Sequence, residues 1–113
     1  MHAVETALPE VFVLEPKFFP DGRGGFFESF NLANLRMILQ DPKLDFVQDN
    51  HSISTGPVLR GIHYQIKQAQ GKLVRVIQGE IFDVAVDLRR NSPHFGKHIG
   101  VILSAENRKQ LWI

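Results

Sequence analysis

Two segments of this 113-residue chain carry more polar chemistry than a core requires. The first is Gln48-Asp49-Asn50-His51-Ser52. On a strand, Gln48, Asn50 and Ser52 share one face, and Asp49 and His51 share the other. A solvated outer face carries such a pattern, and so does a row of neutral hydrogen-bonding groups lining a pocket for a polar ligand. The second is Leu59-Arg60-Gly61-Ile62-His63-Tyr64-Gln65. The planar fork of Arg60 suits a phosphate or a carboxylate. An imidazole is the side chain best suited to act as a general base near neutral pH, which makes His63 a candidate. Strict alternation sets Arg60 and His63 on opposite faces, and Gly61 between them is where a bulge would re-aim one side chain. Spacing alone equally allows a structural histidine. Lys72, after Gly71, reads either as an exposed turn lysine or, beside His63, as an ammonium that stabilises a developing oxyanion.

Other chemistries find little support. Arg23-Gly24-Gly25 looks like a phosphate loop but lacks the strand–turn–helix context and the Lys-Ser/Thr pair. His51 and His63 are far apart, and His94 and His98 flank a turn, so no metal site is expected. There is no nucleophile elbow and no paired-carboxylate arrangement. Cysteine is absent, which removes disulfides, thiolate ligands and thiol nucleophiles. With 13 Lys+Arg against 12 Asp+Glu, the net charge of +1 gives no electrostatic case for nucleic acid. No apolar run approaches the roughly 20 residues of a membrane span. The first residues carry Glu5 and lack the apolar core of a secretory signal, so a cytoplasmic location is expected.

These side chains need a scaffold. A hydrophobic content of 43% excludes a disordered chain, and the length allows one small domain, residues 1–113. Nine Phe are expected to supply much of its core. Gly and Pro recur at short intervals between runs of Val, Ile, Phe and Leu, the pattern of an all-β sandwich or barrel. Strands are expected at 11–15, 26–30, 46–54, 58–65, 72–78, 80–88, 97–103 and 110–113. In the strand from Ile81 to Leu88, Phe82, Val84, Val86 and Leu88 share one face and Asp83 and Asp87 the other. Gln78-Gly79-Glu80 reads as a tight turn that would make 72–88 a hairpin. Asn91-Ser92-Pro93 is a second turn. One short helix is expected at 32–39, capped by Asn31 and ended ahead of Asp41-Pro42. Leu111-Trp112-Ile113 reads as a strand just begun, which suggests the front part of a longer protein.

Taken in order, the motifs resemble one family. Asp21-Gly22-Arg23-Gly24-Gly25-Phe26-Phe27-Glu28 fits the D-x-R-G-x-F-x-E motif of the dTDP-4-dehydrorhamnose 3,5-epimerases. The 48–52 and 59–65 segments match the next two motifs. Gly71 to Val76, Gly79 to Asp87 and Leu103 to Asn107 continue the match in register.

The resemblance implies a cupin-type jelly roll, incomplete at its C-terminal side in this chain. It implies inversion of C3 and C5 of dTDP-4-keto-6-deoxyglucose in the route to dTDP-rhamnose, with no cofactor and no metal. A relative that inverts one carbon, a ketoisomerase on the same scaffold and a dTDP-sugar binding module without turnover are the alternatives. The proton next to a ketone is acidic because its loss gives an enolate, so the reaction needs a base, a cation and an acid. The resemblance assigns the base to His63 and the oxyanion partner to Lys72. It gives the diphosphate to Arg60 and sugar or phosphate contacts to Gln48 and Asn50. Arg23, Phe26 and Glu28 would reach a neighbouring subunit's nucleotide, which implies a homodimer. The family's tyrosine acid and its histidine-orienting aspartate lie in a second half, and Tyr64, the one Tyr here, does not match that acid.

Overall fold

The computed structural model describes residues 1–113 and contains eight strands and one helix. The strands are β1 (His2–Glu5), β2 (Phe12–Glu15), β3 (Phe18–Asp21), β4 (Gly24–Phe27), β5 (Leu73–Arg75), β6 (Glu80–Val86), β7 (His98–Ser104) and β8 (Gln110–Trp112). The helix, α1, spans Leu32–Ile38 between β4 and β5. The expected all-β class with one short helix is what the chain adopts.

The strands form three sheets. One has four strands in the order β1-β2-β8-β5, and β3-β4 and β6-β7 are two-stranded antiparallel pairs. The last strand therefore sits inside the largest sheet. Phe12 and Leu73 both pair with Trp112, and Val13 and Val74 both pair with Leu111. Branched and apolar residues favour this pleated, half-buried setting. The core is built where this sheet faces β7: Val13, Leu103 and Leu111 are buried, with Val11, Val74, Val76, Ile99 and Val101 packed against them.

Phenylalanine does not fill this core as expected. Phe19, Phe26, Phe30, Phe82 and Phe95 are all about half exposed or more. Part of the aromatic set lies instead on the other face of the sheet, where Phe46 packs edge-on against both Phe30 and Trp112. Leu14, Leu35 and Gln110 are fully buried.

The helix follows its sequence signals. Asn31 is extended (φ −152°) and its Oδ1 accepts from Asn34 N at 3.1 Å. That satisfies one of the free N–H groups of the first turn. At the other end Gln40 takes a φ of 53°, and the chain leaves the helix ahead of Pro42.

Several expected boundaries move. The strand placed at 26–30 lies at Gly24–Phe27, because Glu28 is drawn into the helix entry, accepting from Asn31 Nδ2 and Asn34 Nδ2. Arg23-Gly24-Gly25, the weak phosphate-loop candidate, leaves the β3–β4 hairpin turn and enters β4, and in that turn Arg23 N donates to Asp21 Oδ1 at 2.8 Å. The hairpin over 72–88 does not form. β5 pairs with β8 while β6 pairs with β7, so Gly79, at φ 76°, is a corner between sheets. Phe82 on β6 is 69% exposed and Leu88, beyond the end of the strand, is open as well, whereas Ala85 on the alternate face is buried. Segments 46–54 and 58–65 are not strands. Their alternation is suitable, but a strand also needs a neighbour to take its N–H and C=O groups, and no backbone hydrogen bond joins either segment to another part of the chain.

The β6–β7 connection is held by Asp87. Its Oδ1 accepts from Arg89 N (2.9 Å) and Nε (3.0 Å), and its Oδ2 from Arg89 Nη2 (3.0 Å) and Ser92 Oγ (2.6 Å). Arg89 also pairs with Glu10, tying the lead-in to β2 onto this turn. The turn expected at Asn91-Ser92-Pro93 is thus present. Hydrogen bonds from Arg89, then from Ser92, hold the Asp87 carboxyl well below the usual carboxylate range. A carboxyl depressed on folding stabilises the chain above its unfolded pKa of about 4, and that contribution is lost as pH falls through the folded value. Urea midpoints measured from pH 6 down to pH 2 should therefore fall in the wild type. The fall should be shallower in Asp87→Asn, and an unchanged acid limb would remove Asp87 from its cause.

Candidate functional site

The chemistry-bearing residues fall in two places. Gln48, Asn50, Arg60 and His63 lie on the extended segment between α1 and β5, and Lys72 lies at its end. Arg23, Phe26 and Glu28 lie on or beside the β3–β4 hairpin.

Within the first group the contacts are local. Gln48 Nε2 donates to Asn50 Oδ1 at 3.0 Å, so these two amides do share a side as the alternation predicts. Arg60 folds back on its own loop, with Nη2 donating to Ile53 O (3.3 Å) and Ser54 Oγ (3.2 Å) and Nε to Ser54 Oγ (3.3 Å). Lys72 Nζ donates to Gln65 Oε1 at 2.7 Å, which brings the ammonium against the end of the His63 segment. The backbone of Lys72 is fixed more firmly. Its N–H and C=O both pair with Ile113, at 2.8 and 2.9 Å, extending the β5–β8 ladder by one residue. None of these hydrogen bonds reaches the His63 ring, which is exposed. Gly61 takes a φ of 110°, and a Cβ placed on it would stand 3.3 Å from His63 Nδ1. Gly61 thus takes a backbone conformation that other residues rarely adopt, but the bulge expected there does not form because no strand surrounds it.

The second group projects from the body. Phe26 is 71% exposed on β4, and the Arg23 side chain is almost fully exposed at the hairpin tip, 3.5 Å from Asp21 Oδ2. Glu28 is occupied by the amides of Asn31 and Asn34. No hydrogen bond joins the side chains of Arg23 and Glu28 to those of the 48–72 segment within one copy of the chain.

Sequence reading treated Asp83 only as the polar side of a strand. In the structure it lies on the face of β6 turned toward the four-stranded sheet, half-buried opposite Val101. Burial pushes its carboxyl pKa up, against a smaller lowering by the backbone N–H of Val84. A carboxyl held toward its neutral form inside a sheet assembly can exchange a proton. The signal was an acid in the middle of an apolar strand.

The family model for dTDP-4-dehydrorhamnose 3,5-epimerase matches residues 5–113. A protein of that description from Pseudomonas aeruginosa is 58% identical over 113 residues, covering 100% of this chain and 62% of its own length. A dTDP-6-deoxy-D-glucose-3,5-epimerase from Legionella pneumophila, solved with dTDP-4-keto-L-rhamnose, superposes with a TM-score of 0.93 at 51% identity. That match covers 99% of this chain and 59% of the other. A 3′-monoepimerase from Streptomyces bikiniensis, solved with dTDP-quinovose, gives 0.82 at 33% identity, over 100% of this chain and 56% of the other. The chain thus spans about three fifths of the length of these relatives. The fold is the cupin-type jelly roll, with its sheets unclosed in this chain.

Lys72 depends on the packing beneath it. A Cβ at Gly71 would stand 2.4 Å from Trp112 Cη2. Gly71→Ala must displace the indole and loosen the β5–β8 junction, at a cost of about 1–3 kcal/mol. Tryptophan fluorescence should shift, and the urea midpoint should drop; wild-type values for both would refute this packing.

Proposed function

Because this chain belongs to the dTDP-4-dehydrorhamnose 3,5-epimerase family, we propose that the protein inverts C3 and C5 of dTDP-4-keto-6-deoxyglucose in dTDP-rhamnose biosynthesis. The observation that carries this reading is the match over residues 5–113, in which every motif singled out from the sequence falls in order.

His63 takes the proton from the carbon next to the ketone. The electron pair of the broken C–H bond moves into the carbonyl, giving an enolate whose oxygen carries the charge. The Lys72 ammonium stabilises that oxygen, where a fixed cation is worth far more than in bulk water. Return of a proton to the opposite face inverts the carbon, and the sequence repeats at the second centre. The Arg60 guanidinium holds the diphosphate, for which it must release Ser54 and Ile53. Gln48 and Asn50 form a neutral amide pair beside it that orients sugar or phosphate oxygens. The exposed Arg23 and Phe26, with Glu28, supply nucleotide contacts to a second subunit, so the working form is a cytoplasmic homodimer. Their projection away from the 48–72 segment supports exchange between two copies.

No hydrogen bond holds the His63 ring in a working tautomer. The acid and the orienting carboxylate belong to parts of the family domain that this chain does not match. A base without its orienting partner loses geometry and tautomer. The domain 1–113 is accordingly read as the front part of the epimerase domain. Binding of dTDP-sugar without turnover by the 113 residues is the second reading, favoured by the unheld His63 ring.

The test is solvent exchange. In deuterated water, mass spectrometry of the sugar should show deuterium at C3 and C5. Loss of the general base should slow this by roughly 100-fold or more in His63→Ala. Undiminished exchange in that variant refutes the base. Deuterium at one carbon only marks a single-centre epimerase. Saturable dTDP binding, weakened in Arg60→Ala but with no exchange, establishes the binding module instead.

A further inference from the structure

A cleft on the outer side of the four-stranded sheet takes no part in the reading above. Its volume is about 240 Å³, and Phe27, Arg75, Arg108 and Gln110 are among its walls. None of the residues assigned to the epimerase site lines it.

Three of these walls have unmet hydrogen-bonding capacity. Arg75 and Arg108 belong to none of the chain's ion pairs, which use Arg23, Arg89 and Lys109. Gln110 faces Arg75 directly across the β5–β8 ladder and is fully buried. Its Nε2 donates to Ser29 O at 2.8 Å, while its Oε1 is buried without a partner. The orientation of the amide is not free. Ser29 O is an acceptor, so the nitrogen must face it and the oxygen must face away. A buried acceptor left unpaired is costly and uncommon in folded proteins.

The cationic side is also pre-organised. The Arg108 guanidinium lies over the Phe18 ring, 4.2 Å from its centroid. Its backbone is set by a turn in which Ser104 N and Lys109 N donate to Asn107 Oδ1, and Asn107 N donates to Ser104 Oγ. The site therefore presents two guanidinium donors and one carbonyl acceptor. An anion alone satisfies the donors and leaves Gln110 unpaired. A ligand that is anionic and still carries an O–H satisfies all three.

We propose that this cleft binds a protonated phosphate group. Arg75 and Arg108 take the charged oxygens through charge-assisted hydrogen bonds, and the P–OH donates to Gln110 Oε1. Hydrogenphosphate keeps one O–H at neutral pH, and sulfate keeps none. Free phosphate supplies the O–H from phosphorus itself, and a small hydroxylated phosphate ester, which is mainly a dianion at neutral pH, supplies it from a hydroxyl on carbon.

The experiment is calorimetric titration of the full chain at pH 7.5 with phosphate, sulfate and glycerol 3-phosphate, each with and without saturating dTDP. Phosphate should saturate one site whether or not dTDP is present, and sulfate should bind at least tenfold more weakly. Arg75→Gln and Arg108→Gln should each weaken phosphate tenfold or more, and Arg60→Gln should leave it unchanged. Arg108 also packs on Phe18, so Arg75→Gln, with its fold checked by circular dichroism, is the deciding variant. Tighter binding of glycerol 3-phosphate than of phosphate makes an ester the source. Absence of saturable phosphate binding, equal binding of sulfate, or retention in Arg75→Gln overturns the proposal. Displacement by dTDP, or loss in Arg60→Gln, also overturns it, because it places the phosphate in the nucleotide site. Phosphate binding is read whether or not dTDP binds, so failure of the epimerase reading stays distinguishable.

Discussion

Everything in this chain hangs on β8 lying between β2 and β5. Residues Gln110–Trp112 join a strand near one end of the sequence to one in its second half, and Leu111 is fully buried against Val13 and Leu103. The contact spans about a hundred residues of chain, so closing it costs entropy that only packing can offset. Without it β1–β2 and β5 have no common sheet, the β6–β7 pair has nothing to pack on, and Lys72 loses the two backbone bonds to Ile113 that fix its place. The site residue best held by the backbone is the one next to this junction.

The rest of the proposed epimerase site shows the opposite condition. From Leu44 to Gly71 the chain runs without strand partners, and its side chains bond mainly to one another. Leu59 is 96% exposed and Val47 88%. Contiguous apolar side chains left open in this way are the usual mark of an interaction surface. The segment lies within the range that the family model matches, and the chain superposes on the Legionella enzyme with a TM-score of 0.93. The local path is set, and these residues leave His63 and Lys72 on an open surface.

Polar groups inside the body divide in the same way. Asp87 is saturated by Arg89 and Ser92 and works as a structural lock on a turn. Asp83 is half-buried and Gln110 fully buried, with weaker or incomplete partnering. Buried polar groups with unmet capacity are where a fold keeps chemistry available, because the desolvation already incurred makes a proton or a ligand bind more strongly there.

The sequence by itself determined the class, the helix and its Asn31 cap, the β6 and β7 strands, and the motif order that identifies the family. These depend on signals a few residues long: side-chain alternation, a capping amide, a proline after a helix. It also marked every residue proposed for the epimerase site. Tertiary structure alone decided the pairing of β5 with β8 in place of β6, the unpaired state of 46–54 and 58–65, and the outward turn of Phe82. The same holds for the meeting of Arg75, Arg108 and Gln110 around one cleft. Each of these rests on which distant backbone supplies a hydrogen-bond partner. A strand's own residues specify its suitability for a sheet, and its neighbour, often far along the chain, specifies whether the sheet exists.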